Sequence, residues 1–530
     1  MRLNRQLSTL GFAAGLAGSA AAATSQEAQP LFETHEVATP PALHQTVLAG
    51  SFDGTGRPQL AVVRVDPGGA RHVQFLLFDG NEWASTLEQE LGLAVLFVDV
   101  ATVAGRDRLL TYRGYAGIGW LDPVTGTTRP VVDVATRYRS SENEGIPHLD
   151  IARDLNGDGH DDILLPDLDG FWVSIQSPHG TFAAPRKLGP PEPFLDATLV
   201  EYRQTYRQTG INAQTLPWYL SRVHRVDYDR DGRNDIAFWN GDHFLLYRQN
   251  EAGGFEDAAR TFSVDFSFDF DAAYGLAFQF PDASLASMLL GLRPRTEHTA
   301  LYAFRDLNGD GVSDAVTLSV AGRSPFRMRG RYDIRFGRPT LGGTSFPASA
   351  DTSVEAPGRS GGLQPWGYAS QRFLDLDGDG QTDMAMGAVN TRLGGMFRAT
   401  VGNSITMDLA LHTLRDDEYS AKPDWYRRVR NPLSPLDRRG PLFPTVLAGD
   451  IDGDGRADLL IGERWNELRV FLGTPGTRPL AEGPIAVPVA IPADERSTML
   501  SDLDGNGRAD VVIQHPSTSG PGRLTLLMAR

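Results

Sequence analysis

The 530-residue chain contains no cysteine. That excludes a disulfide framework and a lipid-attachment cysteine. No stretch reaches the roughly 18 consecutive apolar residues that a membrane-spanning helix needs. Catalytic signatures are also missing: there is no Gly-x-Ser-x-Gly elbow, no His-Glu-x-x-His and no phosphate loop. Helical periodicity is scarce, with one short candidate at 282–290. No basic stripe marks a nucleic-acid partner. Histidines number 11 and are scattered, so a lyase-type base beside a charge-neutralising group does not stand out.

What the chain has is aspartate in a fixed pattern. Six nonapeptides place oxygen-bearing residues at positions 1, 3, 5 and 9, glycine at position 6, and a backbone carbonyl at position 7. Their ligand positions are Asp154, Asn156, Asp158, His160 and Asp162; Asp227, Asp229, Asp231, Arg233 and Asp235; and Asp306, Asn308, Asp310, Val312 and Asp314. The other three are Asp375, Asp377, Asp379, Gln381 and Asp383; Asp450, Asp452, Asp454, Arg456 and Asp458; and Asp502, Asp504, Asn506, Arg508 and Asp510. At position 7 only the carbonyl is counted as a donor. A hard cation such as calcium takes about six to eight oxygens, and this spacing supplies them. The alternative is a set of metal-free Asp/Gly turns, but carboxylates packed into one turn repel each other unless a cation offsets them. The loops are not EF-hands, which need a bidentate Glu at position 12. Here that position is Leu165, Phe238, Thr317, Met386, Ile461 or Ile513. About six calcium ions are therefore expected. The 21 aspartates at ligand positions more than account for the net charge of −16, leaving the rest of the chain near +5.

Each loop is followed by an apolar run that suits a strand. Residues 46–62 can be laid on 446–461, with Val-Leu-Ala-Gly, a turn, Gly-Arg and an apolar strand in both. In the earlier copy Ser51, Thr55 and Gln59 replace the acids, so its metal site is eroded. A fainter copy lies at 97–112. The eight repeat starts, near 51, 100, 154, 227, 306, 375, 450 and 502, with four short strands per unit, predict an all-β propeller. Eight blades are favoured, with seven the alternative. The last unit stops after Arg523–Met528 without a fourth strand, and Leu31–Val37 is a spare strand that would complete it. Such closure hides sheet edges. Residues 1–23 read as a signal peptide, with Arg2 and Arg5, an apolar run at 7–17 and Ala21–Ala23 as a cleavage site; the alternative is a disordered N-terminus. Residues 24–530 then form one propeller domain, exported to the periplasm, the medium or the cell surface, with no transmembrane segment in the mature chain. Nothing in the sequence sets an oligomeric state.

The six loops, with Gly387-Ala388 and Gly462 beyond two of them, resemble the FG-GAP or VCBS repeat of integrin α-subunits and secreted bacterial proteins. The resemblance covers nearly the whole mature chain. Its Phe-Gly and Gly-Ala-Pro elements are poorly kept, since Val389 stands where the family has Pro. The resemblance implies a calcium-binding propeller that binds a protein or glycan, as in cell adhesion. Related propellers also occur in polysaccharide lyases, so an enzyme is the alternative and a structural envelope module a third.

Chain order predicts where a ligand would sit. The calcium loops are turns between first and second strands. Long insertions at about 190–221, 265–300, 345–368 and 416–442 should precede first strands and crowd the opposite face. They carry Trp218, Tyr219, Trp366, Trp425, Tyr426, Arg427 and Arg428, and His298 is the one histidine among them. Aromatic rings with arginine forks suit sugars or a protein hot spot; the alternative is that they pack the insertions onto the ring. The alternating run Phe262–Phe270 reads as a half-buried strand.

Overall fold

The computed structural model describes residues 31–136, 145–167, 170–189, 223–268, 296–322, 329–357, 372–389, 404–432, 445–492 and 497–530, apart from positions 241 and 477. Apolar runs become strands throughout. They form eight four-stranded antiparallel sheets, with two short two-stranded ribbons and no α-helix among the described residues. The first strands of the sheets begin at His44, Phe97, Ala152, Val223, Thr296, Arg372, Val446 and Thr498. The molecule is an eight-bladed β-propeller.

The blade count follows from side-chain alternation. A strand sends successive side chains to opposite faces, so a central strand between two neighbouring blades is apolar on both. Second strands show this. Leu60 and Val62 of Gln59–Val65 pack toward blade 8, while Ala61 and Val63 pack toward blade 2. Leu460 of Asp458–Glu463 packs toward blade 8, whereas Leu459 and Ile461 face blade 6. Eight apolar clusters result, each shared by two consecutive blades, and the eighth joins blade 8 to blade 1. Each fully buried aliphatic side chain contributes roughly 1.5–3 kcal/mol to that packing.

The last blade takes its outermost strand from the other end of the chain. Phe32–Thr39 pairs antiparallel with Gly522–Ala529, from Phe32 opposite Ala529 to Thr39 opposite Gly522. Ion pairs Arg530–Glu33 at 2.6 Å and Arg523–Glu36 at 3.2 Å lie along the seam. The residues proposed as a signal peptide lie outside the described residues. No described helix is long and apolar enough to cross a membrane.

First strands of neighbouring blades approach one another, so they ring the axis. Blade 2 has an addition there. Residues 145–151 run parallel to its first strand, Phe97–Thr102, through Val98 N–H to Pro147 O at 3.1 Å and Leu149 N–H to Val98 O at 3.0 Å. The second strand holds the other edge of Phe97–Thr102, so this segment occupies the inner edge. Asp99, 3% exposed, anchors it by accepting from Ile151 N and Ala152 N and pairing with His148 Nε2, each at 2.8 Å.

Three expected insertions have other bounds. Residues 265–300 run into Thr296–Arg305, the first strand of blade 5, so His298 lies in a strand. Residues 345–368 include Thr352–Glu355, the fourth strand of blade 5. Residues 416–442 include Trp425–Pro432, the fourth strand of blade 6. In both blades the connection between third and fourth strands contains its own ribbon, Arg338–Thr340 with Gly343–Ser345 and Leu414–Arg415 with Glu418–Tyr419. Those ribbons pushed the outer strands further along the chain than a tight turn would. The connections from fourth to first strand are 189–222, 263–295, 356–371 and 433–445. Among the described residues of the run Phe262–Phe270 only the start is strand, since Arg260–Phe262 closes blade 4; Val264, Phe266 and Phe268 continue its packing. The helical candidate at 282–290 lies outside the described residues.

Candidate metal centres

All six nonapeptides join a first strand to a second strand, and antiparallel order puts them on one rim. The loop of blade 7 shows the build. Asp450 turns its carboxylate back over the loop, Oδ1 accepting from Gly453 N at 2.7 Å and Oδ2 from Gly455 N at 2.8 Å. Gly453 sits at φ 79° and Gly455 at φ 83°, a conformation in which glycine carries no steric penalty. Asp458 begins the second strand. Its Oδ2 accepts from Ile451 N at 2.8 Å and its Oδ1 from Gly473 N, beyond the third strand, at 2.7 Å.

The position-9 bridge recurs in all six loops. Asp162, Asp235, Asp314, Asp383, Asp458 and Asp510 are each 0% exposed. Each joins the N–H of loop position 2 to an N–H at or just after the end of the third strand, at 2.7–3.4 Å. These aspartates tie three strands of a blade together as well as facing the loop. Burial, opposed only in part by those N–H groups, pushes Asp235, Asp314 and Asp383 up to about 7 and Asp162 and Asp510 up to about 6.

Three carboxylates converge in four loops. One oxygen from each of Asp375, Asp377 and Asp383 lies within 4.8 Å of the others, as do those of Asp450, Asp452 and Asp458, of Asp502, Asp504 and Asp510, and of Asp227, Asp229 and Asp231. In blades 3 and 5 position 3 is Asn156 or Asn308, whose amides donate to Asp158 at 3.0 Å and Asp310 at 3.4 Å. Asp377 supplies the test of fit for a cation. Its side chain is 6% exposed, and its buried Oδ1 has no hydrogen-bond partner. Burial first, then the charges of Asp379 and Asp375, raise its pKa despite Arg415. A carboxylate oxygen with no donor, among three carboxylates, suits a hard dication.

Position 7 does more than the sequence suggested. The side chains of Arg233 and Arg456 pair with Asp231 and Asp454 at position 5 of their own loops, and Gln381 Nε2 donates to Asp379 at 3.2 Å. Two further arginines reach the loops from the far end of the third strand. Arg248 pairs with Asp229 and lies 3.7 Å from Asp231. Arg415 Nη2 lies 3.2 Å from Asp377 Oδ2 and donates to Gly476 O at 3.0 Å. Sequence reasoning missed both, because they lie 19 and 38 residues from the aspartates they meet.

The eroded loop of blade 1 keeps the fold with Asp53 as its one remaining acid. Gln59, at position 9, accepts from Asp53 N at 2.8 Å, and Asp53 accepts from the Thr55 hydroxyl at 2.7 Å. Arg106 of blade 2 lies across the loop and donates to Phe52 O at 3.0 Å. Asp107, at the blade 2 counterpart of position 9, accepts from Ser51 N at 2.8 Å.

Among the expected ligand-face residues, Trp218, Tyr219 and Trp366 lie outside the described residues. Trp425, Tyr426, Arg427 and Arg428 do not lie in a loop: they belong to the outer strand of blade 6 and are spent on the blades themselves. The Trp425 ring meets Phe471 of blade 7 edge-on at 5.2 Å. Arg427 pairs with Glu463 at 3.2 Å and stacks over Phe471. Asp408 holds Arg428 Nε at 2.6 Å and the Tyr426 hydroxyl at 2.7 Å. An outer strand can read as an insertion when its alternate residues are long and charged, as in this stretch.

Comparison with known proteins agrees with the blade-level reading. Residues 450–513, from the loop of blade 7 into the second strand of blade 8, match the FG-GAP-like repeat. No curated protein matches the chain in sequence. Among solved structures, Sqt1 from Chaetomium thermophilum is similar over 94% of this chain and 100% of its own, at 11% identity and TM-score 0.40. A lectin from Agrocybe aegerita that recognises non-reducing terminal N-acetylglucosamine covers 74% of this chain and 80% of its own, at 16% identity and TM-score 0.35. The periplasmic gluconolactonase of Pseudomonas aeruginosa covers 86% and 97%, at 12% identity and TM-score 0.28. The fold assignment rests on the strand pairings rather than on these likenesses.

Proposed function

We propose that this chain is an exported, calcium-braced propeller that presents a binding face for a glycan or protein. The observation that carries the calcium reading is Asp377: a buried carboxylate oxygen with no donor, beside Asp375 and Asp383. Three other loops also bring three carboxylates together, at Asp227, Asp450 and Asp502. Calcium bound there would neutralise carboxylates that otherwise repel one another, and would fix each first strand to its second. The loop rim thereby becomes scaffold. A ligand is then left the opposite rim, where the fourth-to-first connections start and end. Three of these, 189–222, 263–295 and 356–371, are far longer than a tight turn requires, and the first and third carry Trp218, Tyr219 and Trp366. Long connections on a rigid ring are where binding function concentrates.

The test uses the full chain on a panel of neutral and acidic polysaccharides, with the variant Trp218→Ala/Tyr219→Ala/Trp366→Ala beside it. Retention by the wild type and loss of at least tenfold in the variant is expected, with calcium-dependent melting unchanged in both. Equal retention would sink the binding-face reading.

A second reading, polysaccharide cleavage, has one described group in its favour. His148 is oriented through Nε2 by buried Asp99, and its Nδ1 has no partner among the described residues. Burial alone would lower its pKa, but the bond to Asp99 and the charges of Asp99 and Asp150 outweigh it and raise the value. That arrangement suits a proton acceptor. Release of unsaturated sugar ends on the same panel, abolished by His148→Gln, would favour cleavage over binding.

A further inference from the structure

The loops that share the aspartate pattern do not share their cations. In blade 1, which keeps only the position-3 acid, Asp53, Arg106 lies across the loop and bonds Phe52 O; a Cβ on Gly54 would come within 2.4 Å of its Nε. In blades 4 and 6 the acids are present, and an arginine already sits on the position-3 carboxylate: Arg248 on Asp229, Arg415 on Asp377. In blades 7 and 8, Asp452 and Asp504 have no arginine or lysine within ion-pair distance among the described residues; the arginines at the blade 7 loop, Arg456 on Asp454 and Arg508 over Gly453, leave position 3 alone. There the residues just after the third strand point elsewhere: Thr474 bonds Arg478 O, and Arg530 pairs with Glu33. Blade 4 departs further. Arg248 also approaches Asp231 and Glu256, so Asp231, already paired with Arg233 as Asp454 is with Arg456 in blade 7, meets a second arginine. Its position 4 is Arg230, held at φ 62°, where the other five loops have glycine at φ 75–79°.

Resting on the reading that these loops bind calcium, we propose that Arg248 and Arg415 are built-in competing cations. They divide the sites into a weak class, blades 4 and 6, and a strong class, blades 7 and 8, so that the ring loads in order as calcium rises. A guanidinium on the position-3 carboxylate lowers the charge offered to a dication and must yield or share the oxygen when the metal enters. The cost is electrostatic, and it grows where the carboxylate is buried. Asp377, at 6% exposed, is such a case. The blade 1 loop stands apart from this series: its arginine comes from the neighbouring blade, and of the four acids only Asp53 remains.

The experiment is a calcium titration of the full chain after chelator treatment, read by hydrogen exchange of peptides covering each loop. Protection at 450–458 and 502–510 is expected at calcium concentrations at least tenfold below those protecting 227–235 and 375–383. Arg415→Gln should move the midpoint at 375–383 down toward that of 450–458 without moving the latter. Arg415→Lys keeps the charge and should leave the midpoint high. Arg248→Gln repeats the test in blade 4, should the blade 6 variant fail to fold. Protection of all loops at one midpoint overturns the two classes. Weakened binding in Arg415→Gln, or an Arg415→Lys protein that binds as tightly as the glutamine variant, overturns charge competition while leaving calcium binding in place. No calcium-induced protection in any loop overturns the calcium reading itself.

Discussion

The loops of blades 1 and 7 have nearly the same backbone and opposite chemistry. Both follow a Val-Leu-Ala-Gly strand and precede an apolar strand, and both place two glycines at positive φ, Gly54 and Gly56 against Gly453 and Gly455. In blade 7 Asp450 collects the loop N–H groups and Asp458 ties the loop to the third strand. In blade 1 these tasks pass to neutral groups and to the neighbouring blade, through Gln59, Thr55, Arg106 and Asp107. The loop conformation therefore does not require carboxylates at positions 1, 5 and 9. The surplus of charge in blade 7 needs another reason, which the proposed dication would supply.

Calcium removal should widen this contrast most. The position-9 aspartates have folded-state pKa values raised above the ordinary carboxylate range, up to about 7 for Asp383. The metal-free folded chain thus holds more protons than the unfolded chain between about pH 4 and 7. Its stability falls as pH rises through that window. Calcium reverses the penalty by favouring the ionised form. Chelator should therefore lower the melting temperature far more at pH 8 than at pH 5.5. At a hundredfold excess over Kd each site contributes about 2.7 kcal/mol. Blade 1, with Gln59 at position 9, should show no calcium-dependent change in hydrogen exchange. Equal chelator effects at both pH values would contradict the assignment.

Next in size is Asp458→Asn. Both carboxylate oxygens accept backbone N–H groups inside the blade, so an amide leaves one donor facing another. The cost should be about 1–3 kcal/mol, with or without calcium. Denaturant unfolding in chelator checks it. A loss seen only in calcium would mean that the bridge depends on the metal.

Asp452→Ala should separate the two roles. It makes no bridge to the third strand, so in chelator it should change stability by under about 0.5 kcal/mol. In calcium it should forfeit most of one site. Asp53→Ala, at the same position in blade 1, should stay within about 0.5 kcal/mol under both conditions.

The sequence made the ring legible because its signals are local. Loop spacing, the glycines and the apolar runs all lie within about a dozen residues, and alternation within runs such as Leu459–Ile461 already implies two apolar faces. The spare strand near Leu31 was visible because the last unit is one strand short. What escaped depended on contacts distant in sequence. Arg415 meets Asp377 from 38 residues away, and Arg106 meets Phe52 from 54. The outer strand Trp425–Pro432 was hidden by its composition: an edge strand exposing Arg428 and Arg430 looks like a surface loop until Asp408 and Val429 show which face is buried. Aromatic and arginine residues at Trp425–Arg428 suggested a ligand surface, yet Phe471, Glu463 and Asp408 already satisfy them.

The smallest effect expected is also the sharpest test of the comparison: rebuilding the blade 1 site. Ser51→Asp, Thr55→Asp and Gln59→Asp would restore carboxylates at positions 1, 5 and 9 beside the existing Asp53. The backbone is already suited to them, since Gly54 and Gly56 hold the same φ values as their blade 7 counterparts. Yet Arg106 lies where it would compete, against the position-2 carbonyl and over Gly54. The triple variant alone should therefore gain calcium binding weakly, on the order of millimolar, the weak end of the range for extracellular modules. Adding Arg106→Gln should tighten it at least tenfold, read as calcium-induced protection of peptide 51–59. A triple variant that binds tightly with Arg106 in place would show that arginines near these loops do not compete, and the contrast between blades 1 and 7 would then lie in the acids alone.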